Sequence, residues 1–416
     1  MRSKSLDIYR NENYSFIING TNFNEYLETV SVRWRIDDVT RTFDATLTIT
    51  ESQILPNVSV NQTVQIYLNR RLYFNGFIEV VSPNYGGTSL KLQLQGRSVC
   101  SDLVDSTMGT HIEFSGRVSL QSIITQLNSK ISALNLKIKT DYTEAVETLE
   151  EEQFKANPNT KIFDFLDRLA RRFSLFVTSN AQGDIFLVNV SAQKKPSYFL
   201  THQYNRINEA LFSKNLYSQI NTSNRFYEYR VHGKKNSNTG KGKVNKDSIY
   251  ASASSFDYHI RPSRVLDIMM ETDTVNPTIL RKRADWEKAT RLGRSINFST
   301  EVFTLEDDKT KIPYEVNKIM RITDEATKVN DDLLIKGVQL ELNTGVGLLL
   351  RLELTSADAF IPEPINPKKK SVRGKKLKKN TTSNRRRKNR SSDYNKRTDE
   401  ETFVDDILRN DYKRDF

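Results

Sequence analysis

The sequence predicts a β-rich, multidomain α+β protein: two related antiparallel β modules, an α/β domain between them and a basic C-terminal tail. Three observations lead there. Residues before 98 and after 201 alternate apolar and polar positions with short Gly, Asn and Pro punctuation. A pattern that starts at Val60 recurs from Val316. The net charge of +12 is concentrated in one stretch near the end of the 416-residue chain.

Residues 1–98 read as strands. "TRTFDATLTIT" (Thr40–Thr50) places Phe43, Ala45, Leu47 and Ile49 on one face. "VQIYL" (Val64–Leu68), "RLYFNGFIEVV" (Arg71–Val81) and "SLKLQLQG" (Ser89–Gly96) alternate likewise, with "PNYGG" (Pro83–Gly87) as a turn. Such patterning predicts an antiparallel sandwich or barrel.

Residues 99–200 mix periods. After Ser119, a candidate N-cap, Leu120, Ile123, Ile124, Leu127 and Ile131 make one helical stripe. Ile162, Phe163, Leu166, Leu169 and Phe173 make a second, with Asp164 and Asp167 early and Arg171 and Arg172 late, as the helix dipole favours. Leu175–Val190 reads as strand, turn at Asn180–Gly183, strand. From 201 to 362 the chain returns to strands, with a helix over Thr278–Gly293 that ends on a glycine C-cap.

The repeat is the most informative feature. Val60-Asn61-x-x-Val64-x-Ile66 matches Val316-Asn317-x-x-Met320-x-Ile322. Each leads through an apolar strand with a glycine (Gly76, Gly337) to a glycine turn (Gly86-Gly87, Gly345-Val346-Gly347). Each ends in a long alternating strand, carrying Leu90, Leu92 and Leu94 in one copy and Leu348, Leu350, Leu352 and Leu354 in the other. Twin modules in one chain would let a closed ring of three chains present six similar units, and sheet edges joined between chains would leave fewer exposed.

Composition narrows the function. No apolar run is long enough to cross a membrane, Met1–Tyr9 lacks the apolar core of a secretory signal, and Cys100 is the lone cysteine. These features predict a soluble protein assembled in the cytoplasm, without disulfides or a cysteine metal cluster. Between Lys368 and Arg397, fifteen Lys/Arg face Asp393 alone; from Thr398 to Phe416, seven acids face three bases. Residues 1–367 therefore carry only +2.

No catalytic constellation emerges. In "LQLQGRSVCSDLVDST" (Leu92–Thr107), Ser98, Cys100 or Ser101 could serve as a nucleophile, but no G-x-S-x-G elbow occurs in the chain. The favoured reading is a structural corner: Gly96 permits the bend and Arg97 pairs with Asp102 or Asp105. "GKKNSNTGKGK" (Gly233–Lys243) misses the phosphate-loop spacing and reads as a mobile basic hairpin loop. His111, His202, His232 and His259 lack metal-ligand spacing, and "ETLEEEQF" (Glu147–Phe154) reads as a solvated turn. No cofactor or metal is expected from one chain.

The tail after Pro362 cannot bury a core and is expected to be disordered when free. Its basic arm, including Lys368, Lys369, Lys370, Arg385, Arg386 and Arg387, could bind nucleic acid by counterion release. Phe403, Val404, Ile407 and Leu408 form a small terminal apolar face suited to docking on a partner.

Four stretches, in order, resemble landmarks of the baseplate hub proteins of Mu-like contractile-tailed phages, in the superfamily of late control D and the type VI spike hub. They are the Gly96–Asp105 signature, Thr160–Val188, "YHIRPSRVLDI" (Tyr258–Ile268) and "RADWEKATRLGRS" (Arg283–Ser295). The resemblance covers roughly residues 1–362 and not the tail. It implies a first tube-like β-barrel module over 1–98, an inserted α/β domain over 99–200, a second tube-like barrel with an inserted helix over 201–362, and a tail over 363–416. It further implies a non-enzymatic homotrimeric ring in the virion baseplate. That ring would join the sixfold tail tube, or a tube-initiator protein, to the trimeric central spike, with a channel for genome ejection. The tail's partner is then the spike, the tape-measure protein, a baseplate wedge protein or DNA. The rival class is a nucleic-acid-binding protein acting through the tail, and the third class a hydrolase.

Overall fold

The computed structural model describes residues 14–50, 57–87, 89–114, 119–130, 137–140, 154–173, 175–190, 195–202, 213–235, 250–272, 277–307, 312–326 and 328–361. All fall within one compact unit, Met1–Lys368. The first seven strands are β1 (Tyr14–Ile18), β2 (Thr21–Asn22), β3 (Leu27–Arg35), β4 (Thr42–Thr50), β5 (Thr63–Leu68), β6 (Arg71–Tyr85) and β7 (Ser89–Ser98). Next come α1 (Ser101–Asp105), β8 (Ile112–Phe114), α2 (Leu120–Lys130), β9 (Ile138–Thr140), β10 (Phe154–Ala156), α3 (Ile162–Arg172), β11 (Phe176–Ser179) and β12 (Ile185–Val188). The remainder is β13 (Tyr198–His202), β14 (Ser213–Ile220), β15 (Glu228–Lys235), β16 (Tyr250–Phe256), β17 (Val265–Thr272), α4 (Pro277–Ser295), β18 (Ile296–Val302), β19 (Ile319–Asp324), β20 (Val329–Asn343), β21 (Gly347–Thr355) and a 3-10 turn, Ala357–Phe360.

The sequence echo is also an echo in space. β5, β6 and β7 form an antiparallel meander that continues to β4 and β3; β19, β20 and β21 form one that continues to β18 and β14. Asn61 and Asn317 both take positive φ, 65° and 61°, a region asparagine tolerates better than most residues. The Asn61 N–H donates to Ile78 O at 2.7 Å, and the Asn317 N–H donates to Ile335 O at 3.0 Å. In return the Ile78 N–H reaches Gln62 O at 3.0 Å and the Ile335 N–H reaches Lys318 O at 2.9 Å. Each long strand slips register directly afterwards, between Ile78 and Val80 and between Ile335 and Gly337. Such bulges bend a strand and raise its twist. Ile78 is therefore the counterpart of Ile335. Gly76 and Gly337, which the sequence aligns, are not counterparts: Gly76 lies before the slip opposite Ser98, and Gly337 after it opposite Glu353.

The expected tube-like barrels do not form. The two modules share one open thirteen-stranded sheet, in the order β14-β18-β21-β20-β3-β4-β7-β6-β5-β1-β2, with β19 and β13 branching from β20. The physical reason is strand length. β20 gives its first half to β19, Ile319↔Leu334 through Asp324↔Val329, and its second half to β3, Gly337↔Arg35 through Asn343↔Thr29. The edge of β3 that would close a first barrel is occupied by the second module. At the far end, the Asn24 side chain imitates a strand partner: its Oδ1 accepts from Phe16 N at 2.8 Å and its Nδ2 donates to Tyr14 O at 2.7 Å.

One core underlies both modules. Phe16, Phe43, Phe74 and Leu94 from the first pack in the same cluster as Leu340, Leu350, Leu352 and Leu354 from the second. Phe43, Ala45, Leu47 and Ile49 are all buried, as their alternation predicts. β6 runs on through Pro83 to Tyr85, so the turn is shorter than "PNYGG" suggests, with the Gly86 N–H on Ser89 O at 2.8 Å.

The region after β7 has its own core, from Cys100 and Leu103 through Ile123 and Leu127 to Leu166, Leu169, Ile185 and Leu187. Ser119 caps α2, its Oγ accepting from Ser122 N at 3.2 Å. Phe165, outside the predicted stripe of α3, is fully buried.

β15 pairs antiparallel with β16 and parallel with β17, making a separate three-stranded sheet on which α4 packs Leu280 and Ala284 against Val231. α4 starts at Pro277, where a missing N–H is harmless, and continues past Gly293 to Ser295. Gly293 is not the predicted C-cap. Its bare Cα faces the 3-10 turn, where a Cβ would stand 3.0 Å from Ala359 Cα.

Candidate interaction surfaces

Alternation gives the large sheet a second, polar face. Thr29, Ser31, Arg33 and Arg35 of β3 continue across the seam into Gln339, Glu341 and Asn343 of β20, and Arg351 and Glu353 of β21. Ion pairs stitch this face. Arg35 Nη1 meets Glu353 Oε2 at 2.7 Å, Arg33 Nη2 meets Glu353 Oε1 at 3.3 Å, and Arg351 Nη2 meets Glu301 Oε1 at 3.0 Å. A shallow cleft runs along it, with Thr46, Gln93, Gln95 and Asp44 on one side of the seam and Glu341 and Leu349 on the other. The chemistry offered is hydroxyls, amides and acids, with the nearby cations already paired.

The corner after β7 is built from both neighbours. Gly96 lies under Phe43 and the Phe77 carbonyl, leaving no room for a side chain. Arg97 Nη2 meets Asp105 Oδ2 at 2.6 Å and Glu79 Oε1 at 2.8 Å. Hydrogen bonds to Glu79 first, then Asp105, hold this guanidinium above its ordinary pKa. Asp102 sits in the first turn of α1. Of the residues weighed as nucleophiles, Cys100 is fully buried and donates its S–H to Gly183 O at 3.4 Å. Burial pushes its thiol up to about 11, the reverse of what a reactive thiolate needs. Ser98 Oγ accepts from Arg41 N at 3.0 Å.

Several carboxylates are held below their usual range by basic partners: Asp105 by Arg97, Glu28 by Lys91, and Asp332 by Arg321. A carboxylate with a depressed pKa in the folded state stabilises the fold above its unfolded pKa, and that contribution is lost as pH falls through the folded value. The urea midpoint is therefore expected to drop as the pH falls from about 5, just above the ordinary carboxylate range, to below about 3. Asp105→Asn should shrink that drop, and an unchanged pH profile in the variant would contradict the assignment.

His232 Nε2 lies 2.7 Å from Asp267 Oδ1, and His111 Nε2 lies 3.6 Å from Glu113 Oε2. Among the described residues no group of three or more His, Cys, Asp or Glu could hold a metal ion, and no helix is long and apolar enough to cross a membrane. The basic arm (Lys368–Lys370, Arg385–Arg387), the docking face (Phe403, Val404, Ile407, Leu408), residues 147–153 and residues 236–243 lie outside the described residues.

Sequence reasoning missed the β3–β20 seam and a second contact between the modules, where Glu315 Oε1 accepts from Arg71 Nη2 at 2.7 Å. No local signal marks partners 244 residues apart. The Asn61 and Asn317 turns did have a signal, the shared Val-Asn pair.

Comparison with known proteins agrees with this architecture. Residues 276–363, spanning α4 through the 3-10 turn, match the family model described as Mu phage baseplate assembly protein GpP, fourth domain. No curated protein sequence matches the chain. Among solved structures, the fold resembles the 43 kDa tail protein of prophage MuSo2 from Shewanella oneidensis. Identity is 17%, the match covers 84% of this chain and 99% of that one, and the TM-score is 0.67. The tail protein from Neisseria meningitidis MC58 is similar at 14% identity, covering 85% and 98%, with a TM-score of 0.64. A chain of the Francisella PdpA-VgrG complex is similar at 11% identity, covering 88% of this chain and 62% of that one, with a TM-score of 0.54. Residues 276–363 are thus similar to one domain of a Mu phage baseplate assembly protein, and the fold of the larger chain is similar to that of two phage tail proteins and of a chain of the PdpA-VgrG complex.

Proposed function

We propose that the protein is a baseplate hub subunit, and that three copies close a ring joining the sixfold tail tube, or its initiator protein, to a trimeric central spike. The observation that carries this reading is the repeated five-strand unit, β5-β6-β7-β4-β3 and β19-β20-β21-β18-β14, held in one sheet. A subunit with two like units supplies six from three copies, which matches a sixfold partner on one side and a threefold partner on the other. The open sheet suits this role. Its terminal strands lie at opposite ends of the order, so that neighbouring copies can meet there. The polar face, with its cations paired, suits the wall of a channel that passes the tape-measure protein and DNA without holding phosphates. The relation to tail proteins supports a place in the virion, and wedge proteins would contact the outside of the ring.

Mass photometry on the purified chain, alone and mixed with the spike, should find three copies per particle; a monomer in both samples would refute the ring. The same measurement on a chain truncated after Asn366 assigns the tail. Intact rings that no longer join the baseplate make the tail, with its Phe403–Leu408 face, a docking segment. Intact rings that lose only DNA binding make it a nucleic-acid arm.

A further inference from the structure

Where the hairpin between β11 and β12 meets both sheet modules lies a cleft of about 270 Å³. That is room for a small ion with several waters, at roughly 30 Å³ each. Its wall includes Arg41, Arg71 and Lys318 against one carboxylate, Glu315, together with Ser179 and Asn317. Arg41 is only 3% exposed. Its Nη1 donates to Tyr73 O at 3.2 Å, and its guanidinium lies 4.8 Å from the Trp34 ring centre. Nη2 stands 3.8 Å from Glu315 Oε2, beyond hydrogen-bond reach, and Nε has no partner among the described residues.

A guanidinium carries five donors, and a buried charge that leaves donors unmade is strongly unfavourable. Glu315 gives its Oε1 to Arg71 at 2.7 Å, and its Oε2, at 3.8 Å, stands too far from Arg41 Nη2 to accept a hydrogen bond. Asn317 Oδ1 is likewise buried without a partner. Its counterpart Asn61 in the first module is exposed, so the repeat alone does not account for a polar group buried here.

We propose that this cleft binds a small tetrahedral oxyanion, phosphate or sulfate, held by Arg41, Arg71 and Lys318. The ion would give Arg41 Nη2 the acceptor that Glu315 stands too far away to supply, and would tie the hairpin to both modules. Calorimetric titration of the full chain with inorganic phosphate at constant ionic strength should show saturable binding of a single ion per chain. Arg71→Met and Lys318→Met should each weaken it at least tenfold while the far-UV circular dichroism is unchanged. If the Arg71 variant does not fold, Lys318→Met suffices, because Lys318 is partly exposed. No saturable binding of phosphate or sulfate, or binding unaffected by the folded variants, would overturn the proposal. So would acetate binding as tightly as phosphate, which would reassign the cleft to a carboxylate.

Discussion

Asp257→Ala is expected to destabilise the β15–β17 sheet and α4 by about 3–5 kcal/mol, the cost of leaving a buried charge without its partner. Arg225 and Asp257 are both buried, at 7% and 4% side-chain exposure. Their bond is bidentate, with Nε on Oδ2 at 2.9 Å and Nη2 on Oδ1 at 3.1 Å, and Oδ1 also accepts from the His259 N–H at 3.2 Å. Removing the carboxylate leaves a buried guanidinium without its counter-charge. Replacing both, as Arg225→Met with Asp257→Leu, should recover most of the loss, because an apolar pair carries no desolvation penalty. Hydrogen exchange at Tyr229 and Val231 gives the readout, and protection in both should collapse in the single variant. A single variant within 1 kcal/mol of the parent would mean that the pair is solvated.

Gly96→Ala is expected to cost about 3 kcal/mol or more, from overpacking at a position with no freedom to relax. An added Cβ would collide with the Phe77 carbonyl oxygen and stand 2.7 Å from the Phe43 ring. Phe43 is itself locked in the shared core, with its ring 4.9 Å from that of Phe74. Gly87→Ala is the control: nothing lies within 4 Å of its Cβ position, so a change within about 0.5 kcal/mol is expected. Urea midpoints of the two variants decide the matter. If Gly96→Ala unfolds like the parent, the corner after β7 is looser than its contacts imply.

Local patterns were legible because their cause is local. The alternation around Phe43 and Leu47 and the stripe of Leu120, Ile123, Ile124 and Leu127 each state which side of one element avoids water, and all of these residues are buried. The Val-Asn echo was legible because a left-handed turn selects its residue. Gly293 was misread because a glycine late in a helix has two uses, a C-cap or a close approach, and only the position of Ala359 distinguishes them. The partners of Arg97 were half legible. Asp105 was in view from spacing, whereas Glu79 reaches Arg97 across the β6–β7 ladder.

From its residues alone the chain was committed to a β-rich class, an inserted α/β core, a repeated meander and a near-neutral body with a basic tail. Each of these follows from periodicity, composition or turn chemistry within short windows. Whether the two meanders close separately or merge was decided only in three dimensions. Alternation specifies which face of a strand is buried but says nothing about which strand occupies its edge, because backbone hydrogen bonds are the same for every residue. The length of β20 and the bulge before Gly337 turn its second half onto β3. That pairing makes two modules one sheet, and it brings Arg41, Arg71 and Glu315 to one junction.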